Sequence, residues 1–381
     1  MKIYFDENMP FAKEFFSGFC KKENLIPFSG RDLNAQQVID ADVLLVRSIT
    51  QVNEELLSAN NKISFVGTAT IGMDHIDQAY LKKRKIEFHS APGCNAISVA
   101  EYVISSLIVL TERYLLDLNN ITIGIVGGGN TGSRLSEKLL ALGISHKICD
   151  PLLEKCNEEQ RTFSSLDEVL KCDVISLHVP KTTEGEYPTY HLLNEKRLSK
   201  LTNKQILINT CRGEVVDNKA LLLLKEHGHG LKLVLDVWEQ EPDILTSLIQ
   251  YTEIATAHIA GYSLEGKARG TEMLYQALCK HIEKRNKSII KNKFQLVDFL
   301  PSANISKVRL NQEFNTVILN QLVKMIYDVR RDDAIFRRKL SIEGFDNLRK
   351  NYPERREFSA VQVALIPNTL NDVLYRLGFN K

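Results

Sequence analysis

A long apolar run is missing from this sequence. The best stretches, such as 102–110 with two serines inside, fall short of the roughly 20 residues that cross a bilayer, so no membrane span is expected. The first ten residues, MKIYFDENMP, place Asp6 and Glu7 where a secretory signal would need apolar residues, and a cytoplasmic protein is expected. The seven cysteines form no C-x-x-C pair and no regular framework; their odd number fits free thiols in a reducing compartment, and no spacing suggests a metal site. An excess of one charge is also lacking. Lys and Arg number 49 against 47 Asp and Glu, a net charge of +2, which argues against a nucleic-acid or anionic-membrane surface. Repeats and low-complexity segments are absent. The basic run at 280–293, with Lys284, Arg285, Lys287, Lys291 and Lys293, reads as a solvated linker.

What is present is ordinary for a globular protein: 44% hydrophobic and 25% charged residues. A length of 381 residues exceeds one core, so two or three domains are expected. The first ninety residues alternate strand and helix signals, with strands at 2–5, 43–46, 63–66 and 86–89. A helix near Pro10 is expected to be capped by Asp6 or Asn8. Such alternation implies a parallel sheet covered by helices on both faces, with ligands beyond the carboxyl ends of the strands. Arg47, Ser48 and Thr70 fall at that edge. Residues 90–95 break the pattern, and an apolar helix over 96–112 leads into a second domain.

The second domain opens with ITIGIVGGGNTGSRLSEKLLALGISHKICD at 121–150. A strand over 121–126 meets Gly127, Gly129 and Gly132 in G-x-G-x-x-G spacing, followed by a helix and a short strand at 147–149. Gly127 permits a tight turn, Gly129 lets the backbone approach a pyrophosphate, and Gly132 lets the helix pack close to the strand. Asp150, 18 residues past Gly132, stands where an acid accepts bonds from an adenosine ribose and repels a 2′-phosphate. The cofactor expected is therefore NAD. Further strands follow at 173–177, 205–209, 232–236 and 253–256, and 181–191 is a polar loop with two tyrosines. A helix over 262–285 is expected to return to the first domain. The remainder mixes strand-like runs at 308–310 and 360–364 with a helix over 315–331. Its clusters Arg330-Arg331-Asp332-Asp333 and Arg349-Lys350 with Glu354-Arg355-Arg356-Glu357 suggest surface pairs or an interface, and the segment reads as an oligomerisation module.

Three residues after the glycine loop match one chemistry. Moving a hydride from an alcohol carbon to nicotinamide needs a base for the hydroxyl proton, which His258 supplies near neutral pH. A carboxylate must orient that imidazole and favour its charged form, a task for Glu241. A planar cation must clamp the substrate carboxylate, which suits Arg212.

The segments TCRGEVVD at 210–217, DVWEQEP at 236–242 and HIAG at 258–261 resemble the signatures of the D-isomer-specific 2-hydroxyacid dehydrogenases. The resemblance places that family's catalytic Arg, Glu and His on Arg212, Glu241 and His258. DENMP at 6–10, VRSIT at 46–50, GTATIGMDHID at 67–77, SAPGCNA at 90–96, HIAGYSLEGKARGT at 258–271, YDVRRDD at 327–333 and LRKNYPERRE at 348–357 are similar to one branch of it, across nearly the whole chain. That branch implies an α/β fold with two Rossmann-like doubly wound parallel-sheet domains and a small C-terminal α+β dimerisation domain. The implied partition is 1–92 with 262–285 for substrate (flavodoxin-like), 93–261 for NAD, and 286–381 for a homodimer. It further implies a phosphorylated 2-hydroxy acid as substrate, Ser48, Thr70 and Tyr262 as substrate contacts, and Asp150, Val179, Thr210, Cys211, Arg212, Asp236 and Gly261 as NAD contacts. The group that binds the substrate phosphate stays open, with Arg47 and other N-terminal basic residues or a partner subunit as candidates. Two alternatives remain: a different phosphorylated acid such as 3-phosphoglycerate, or a non-catalytic NAD-sensing regulator.

Overall fold

The computed structural model describes residues 1–156, 159–287, 289–290, 294–311, 315–365 and 371–380; Lys291 and Lys293 of the basic run lie outside the described residues. The chain forms two compact units, residues 1–95 with 263–302, and residues 96–262 with 303–381.

The first unit holds five parallel strands: β1 (Ile3–Asp6), β2 (Leu25–Phe28), β3 (Val43–Val46), β4 (Phe65–Thr68) and β5 (Glu87–His89). Their order, β2-β1-β3-β4-β5, is the flavodoxin-like one. β1, β3 and β4 are buried at every position, as strands covered by helices on both faces must be. β2 was not expected, because Pro27 interrupts its pattern; it lies at the sheet edge, where a missing N–H is tolerated. The first helix spans Ala12–Phe16, and neither Asp6 nor Asn8 caps it. Asp6 instead turns its carboxylate onto the Asn8 N–H at 2.8 Å. The helix Leu264–Asn286 belongs to this unit and packs tightly: a Cβ on Gly270 would sit 2.7 Å from the Ala69 carbonyl oxygen.

The second unit carries six parallel strands: β6 (Ile123–Val126), β7 (His146–Cys149), β8 (Val174–Leu177), β9 (Ile206–Asn209), β10 (Lys232–Leu235) and β11 (Ile254–Ala255). The order β11-β10-β9-β8-β6-β7 reverses direction between β6 and β8, the switch point where α/β sheets open a crevice beyond their carboxyl ends. A short parallel pair, β12 (Lys307–Leu310) with β13 (Gln362–Leu365), forms a third sheet in the C-terminal tail.

The tail does not stand apart from this unit. Ser98, Glu101 and Ser105 lie on one face of the helix Ala96–Tyr114 at spacings of three and four residues, and all three are buried. Ser98 donates to Glu357 at 2.8 Å, both Glu101 oxygens accept the Phe358 N–H at 3.2 Å, and Ser105 bonds the Tyr327 carbonyl at 2.9 Å. Arg355 donates to the carbonyls of Ala260, at 3.0 Å, and Ser98. Burial pushes the Glu101 carboxyl up to about 7, against the pull of nearby Lys138. Of the second charge cluster, expected to form surface pairs or an interface, Arg355 and Glu357 are not surface residues, being 2% and 0% exposed. Polar groups on an apolar helix need partners, and the tail provides them. It also closes a sheet edge, where Asp333 accepts the β11 Ala255 N–H at 2.8 Å. The single helix expected over 315–331 is two, Thr316–Ile326 and Val329–Glu343, because Tyr327 is extended and Asp328 caps the second through the Arg330 N–H. Among the described residues no helix is long and apolar enough to cross a membrane.

Candidate active site

The glycine loop occupies the turn from β6 into the helix Asn130–Ala141. Gly127 has φ +99°, and a Cβ there would lie 2.6 Å from the His178 carbonyl oxygen. A Cβ on Gly132 would stand 1.9 Å from the Gly127 carbonyl oxygen, so helix and turn touch backbone to backbone. A Cβ on Gly129 would meet nothing within 4 Å. Two glycines thus serve close packing, while the third borders open space beside helix N–H groups, as a pyrophosphate requires. Asp150 follows β7 and accepts the Gly128 N–H at 2.9 Å through one oxygen and the Leu153 N–H at 3.1 Å through the other. Arg161, which the sequence reading missed, braces the loop by donating to the Gly128 carbonyl at 2.9 Å and the Ser133 hydroxyl at 2.8 Å.

At the end of β8, Ser176 bonds His178 Nε2 at 2.8 Å, and the buried Nδ1 has no partner among the described residues. Burial holds this imidazole neutral, its pKa pushed down to about 3 from 6.5. Between those values the unfolded chain carries one more proton than the folded one, so stability falls as pH falls through that window, by at most about 1.4 kcal/mol per pH unit. Urea denaturation across the window should show a shallower acid-side decline in His178→Asn than in the parent chain. Parallel declines would contradict this account. Val179 follows, with Cγ1 3.0 Å from the Cβ position of Gly127.

After β9, Asn209 organises the turn. Its side chain donates to the Arg212 carbonyl at 2.9 Å and accepts the Cys211 N–H at 3.2 Å. The Thr210 hydroxyl is buried and has no partner among the described residues, an orphan donor at the end of the strand. The Cys211 thiol is pushed up to about 11 by burial and stays neutral. Arg212 Nη1 bonds the Cys211 carbonyl at 2.7 Å. Gly213 then presses against the next loop, since a Cβ there would lie 1.9 Å from the Trp238 carbonyl carbon. Only glycine permits this approach, and it clasps the loop of Arg212 to the loop of Glu241.

Trp238 is 1% exposed, and its indole N–H bonds the Thr256 carbonyl at 2.9 Å. Its backbone N–H donates to Glu241 Oε1 at 2.9 Å, and Glu241 Oε2 pairs with His258 Nδ1 at 2.7 Å. Burial works to raise the Glu241 carboxyl, but His258, Arg349 and the Trp238 N–H outweigh it and hold the group below its ordinary value. His258 has φ +56°, unusual for a side chain of this size, and its N–H bonds the Asp236 carbonyl at 2.7 Å. The Asp236 carboxylate secures the conformation by accepting from the Thr256 hydroxyl at 2.6 Å, the Ile259 N–H at 2.8 Å and the Ala260 N–H at 2.9 Å. This side chain, expected among the cofactor contacts, thus organises the histidine loop. With Nδ1 engaged by Glu241, Nε2 is the nitrogen left to accept a proton.

Gly261 lies in the turn closed by the Tyr262 N–H to the Ile259 carbonyl at 2.8 Å. The Tyr262 hydroxyl accepts from Arg349 Nη2 at 3.1 Å, a contact with the tail that sequence reasoning missed. Arg349 lies in the quoted segment LRKNYPERRE, but nothing in its spacing distinguishes it from the cations around it. Ser48 and Thr70 belong to the other unit, after β3 and β4. Thr70 is held by the Thr68 hydroxyl at 2.8 Å and the Gly72 carbonyl at 3.0 Å. His191, Asp217 and Glu239 gather within 4.8 Å of one another. Their atoms brace loops: His191 Nε2 meets Glu239 at 2.7 Å, Glu239 accepts the Asn218 N–H at 2.7 Å, and Asp217 accepts the Ala220 N–H at 2.9 Å.

Residues 108–260 match the family model described as the D-isomer specific 2-hydroxyacid dehydrogenase NAD-binding domain, and residues 299–378 match one described as a domain of unknown function. Over full length the chain is 66% identical to erythronate-4-phosphate dehydrogenase of Colwellia psychrerythraea, covering 100% of each. It is 52% identical to the enzyme of that name from Psychromonas ingrahamii, covering 100% of this chain and 97% of the relative. Among solved structures, D-lactate dehydrogenase from Aquifex aeolicus, complexed with NAD and lactic acid, aligns with a TM-score of 0.61 at 28% identity over 75% of this chain and 97% of that one.

Proposed function

Because this chain belongs to the erythronate-4-phosphate dehydrogenases, within the D-isomer-specific 2-hydroxyacid dehydrogenase family, we propose that it oxidises 4-phospho-D-erythronate to 2-oxo-3-hydroxy-4-phosphobutanoate. When bound, NAD⁺ supplies the hydride acceptor. His258 Nε2 removes the C2 hydroxyl proton, and Glu241 keeps the ring oriented through Nδ1. Arg212 pairs with the substrate carboxylate through its planar fork. Gly127, Gly129, Gly132 and Asp150 hold the dinucleotide, with Val179, Thr210, Cys211, Arg212, Asp236 and Gly261 alongside, and Ser48, Thr70 and Tyr262 contact the substrate. The observation that carries this reading is the His258–Glu241 pair at 2.7 Å, on a loop clasped through Gly213 to the loop of Arg212.

The reaction has its place in pyridoxal 5′-phosphate synthesis in the cytoplasm, by a homodimer joined through the C-terminal segment. Val317, Met325 and Ile342 of that segment are 63%, 41% and 80% exposed and offer apolar side chains for such a contact. Parallel assays with NAD⁺ test the reading: 4-phospho-D-erythronate gives NADH at a kcat/KM well above that of 3-phosphoglycerate. A preference for 3-phosphoglycerate would move the substrate assignment, and no NADH from any 2-hydroxy acid would favour a sensor.

A further inference from the structure

One guanidinium beside the glycine loop is engaged on two edges. Arg161 donates through Nη1 to the Gly128 carbonyl at 2.9 Å and the Ser133 hydroxyl at 2.8 Å, and so braces the loop. Bracing uses that nitrogen alone. The other edge, Nε with Nη2, is a planar fork of the kind that grips carboxylates and phosphates. Glu159 fills it: Nε reaches one carboxylate oxygen at 2.9 Å and Nη2 the other at 2.5 Å. The Arg161 backbone N–H adds a third bond to Glu159 at 3.0 Å. These bonds hold the Glu159 carboxyl down to about 2, so near neutral pH the fork is always occupied by an anion.

The pair stands beside Asp150. Gly128 joins them, with its N–H on the Asp150 carboxylate at 2.9 Å and its carbonyl on Arg161. An edge carbon of Phe163 and the Asp150 Cβ lie 3.3 and 3.4 Å from where a Gly128 Cβ would be. The Arg161 guanidinium lies 5.5 Å from the centre of the Phe163 ring. Glu159 first, then Asp150 and Glu137, favour the charge on Arg161 against its partial burial. The side chains of Arg161 and Glu159 are 33% and 18% exposed, so solutes can reach both.

Asp150 is the acid read as accepting bonds from the adenosine ribose. Dinucleotide sites that accept NADP have an arginine near that ribose for the 2′-phosphate. This chain has such an arginine. Glu159, two residues before it, presents two oxygens to the fork where a phosphate would present its own.

We propose that Glu159 is a second determinant of the preference for NAD over NADP: it occupies the Arg161 fork and, together with Asp150, keeps a 2′-phosphate from binding there. The inference rests on the reading of Asp150 as the ribose acid.

The test measures the Kd of NADH and of NADPH by nicotinamide fluorescence, without turnover. It uses the parent chain, Asp150→Ser, Glu159→Gln, the double variant, and the double variant with Arg161→Met. The parent should favour NADH by about 100-fold or more. Asp150→Ser should weaken NADH and narrow the ratio. Adding Glu159→Gln should tighten NADPH about tenfold further, with NADH moved by less than about threefold. Arg161→Met should cancel that gain. Because it also removes a brace of the glycine loop, its effect is read in the ratio of the two nucleotides, which a general loosening of the loop would not move. A parent without the preference overturns the inference. So does a ratio that Glu159→Gln leaves at its Asp150→Ser value, or a gain that survives Arg161→Met. Loss of both nucleotides in Glu159→Gln would make the pair a brace alone and overturns it too. An Asp150→Ser chain that binds both nucleotides as the parent does sinks the ribose reading, and the inference with it.

Discussion

Replacing His258 with asparagine lowers kcat/KM for 4-phospho-D-erythronate about a thousand- to ten-thousand-fold near neutral pH, the range general bases supply. Asparagine can still bond Glu241, so the 2.7 Å contact and the loop around it have a substitute partner. What it cannot do is accept a proton. The loss should therefore fall on turnover, with the Kd for NAD⁺ moved by less than about threefold, because the glycine loop and Asp150 lie on other elements of the unit. Steady-state kinetics with a fluorescence titration of NAD⁺ reads both quantities. A variant keeping more than about a tenth of parental activity would remove His258 as the base. Because Glu241 is held below its ordinary value, it stays ionised wherever the enzyme is folded near neutrality, and the residual activity should not recover on raising the pH.

The second large effect is expected at Arg212. Lysine preserves the charge but offers a point donor in place of a planar fork, and the resulting loss in kcat/KM should reach about 100-fold or more. The reason is geometric. Asn209 fixes the turn on one side and Gly213 presses on the Trp238 carbonyl on the other, so the backbone at 212 cannot shift to let a different side chain compensate. Both kcat and KM should suffer, since the carboxylate clamp orients the substrate as well as binding it. Near-normal turnover in Arg212→Lys would mean that the carboxylate is bound elsewhere.

The legible parts of the molecule are those where one local rule decides the outcome. Gly127, Gly129 and Gly132 could be assigned separate tasks because each task imposes its own steric demand, and those demands reappear as a positive φ, open space and a 1.9 Å approach. The parallel sheets were readable because strands covered on both faces are continuous apolar runs. Where two rules competed, sequence reasoning failed. Pro27 hid β2, since a proline argues against a strand everywhere except at an edge, and edges are a property of the whole sheet. Asp328 split a helix that apolar periodicity alone would continue, because the capping of the next helix prevailed. The charge clusters of the tail read as surface pairs or an interface, and not as partners of the helix Ala96–Tyr114, because long-range partners have no signature in a single sequence. Ser98, Glu101 and Ser105, polar at helical spacing in an apolar helix, were the available clue that something polar packs there. Gly213 is the same case: a glycine after a strand looks like a turn, and only the fold reveals the Trp238 backbone against it.

The most direct test is to follow the label in 4-phospho-D-erythronate carrying deuterium at C2. With NAD⁺ and the parent chain, the account predicts NADH that contains that deuterium, formed in step with the 2-oxo acid, and neither product in appreciable amount from His258→Asn. NADH free of deuterium, or oxidation that proceeds undiminished without the imidazole, would contradict it.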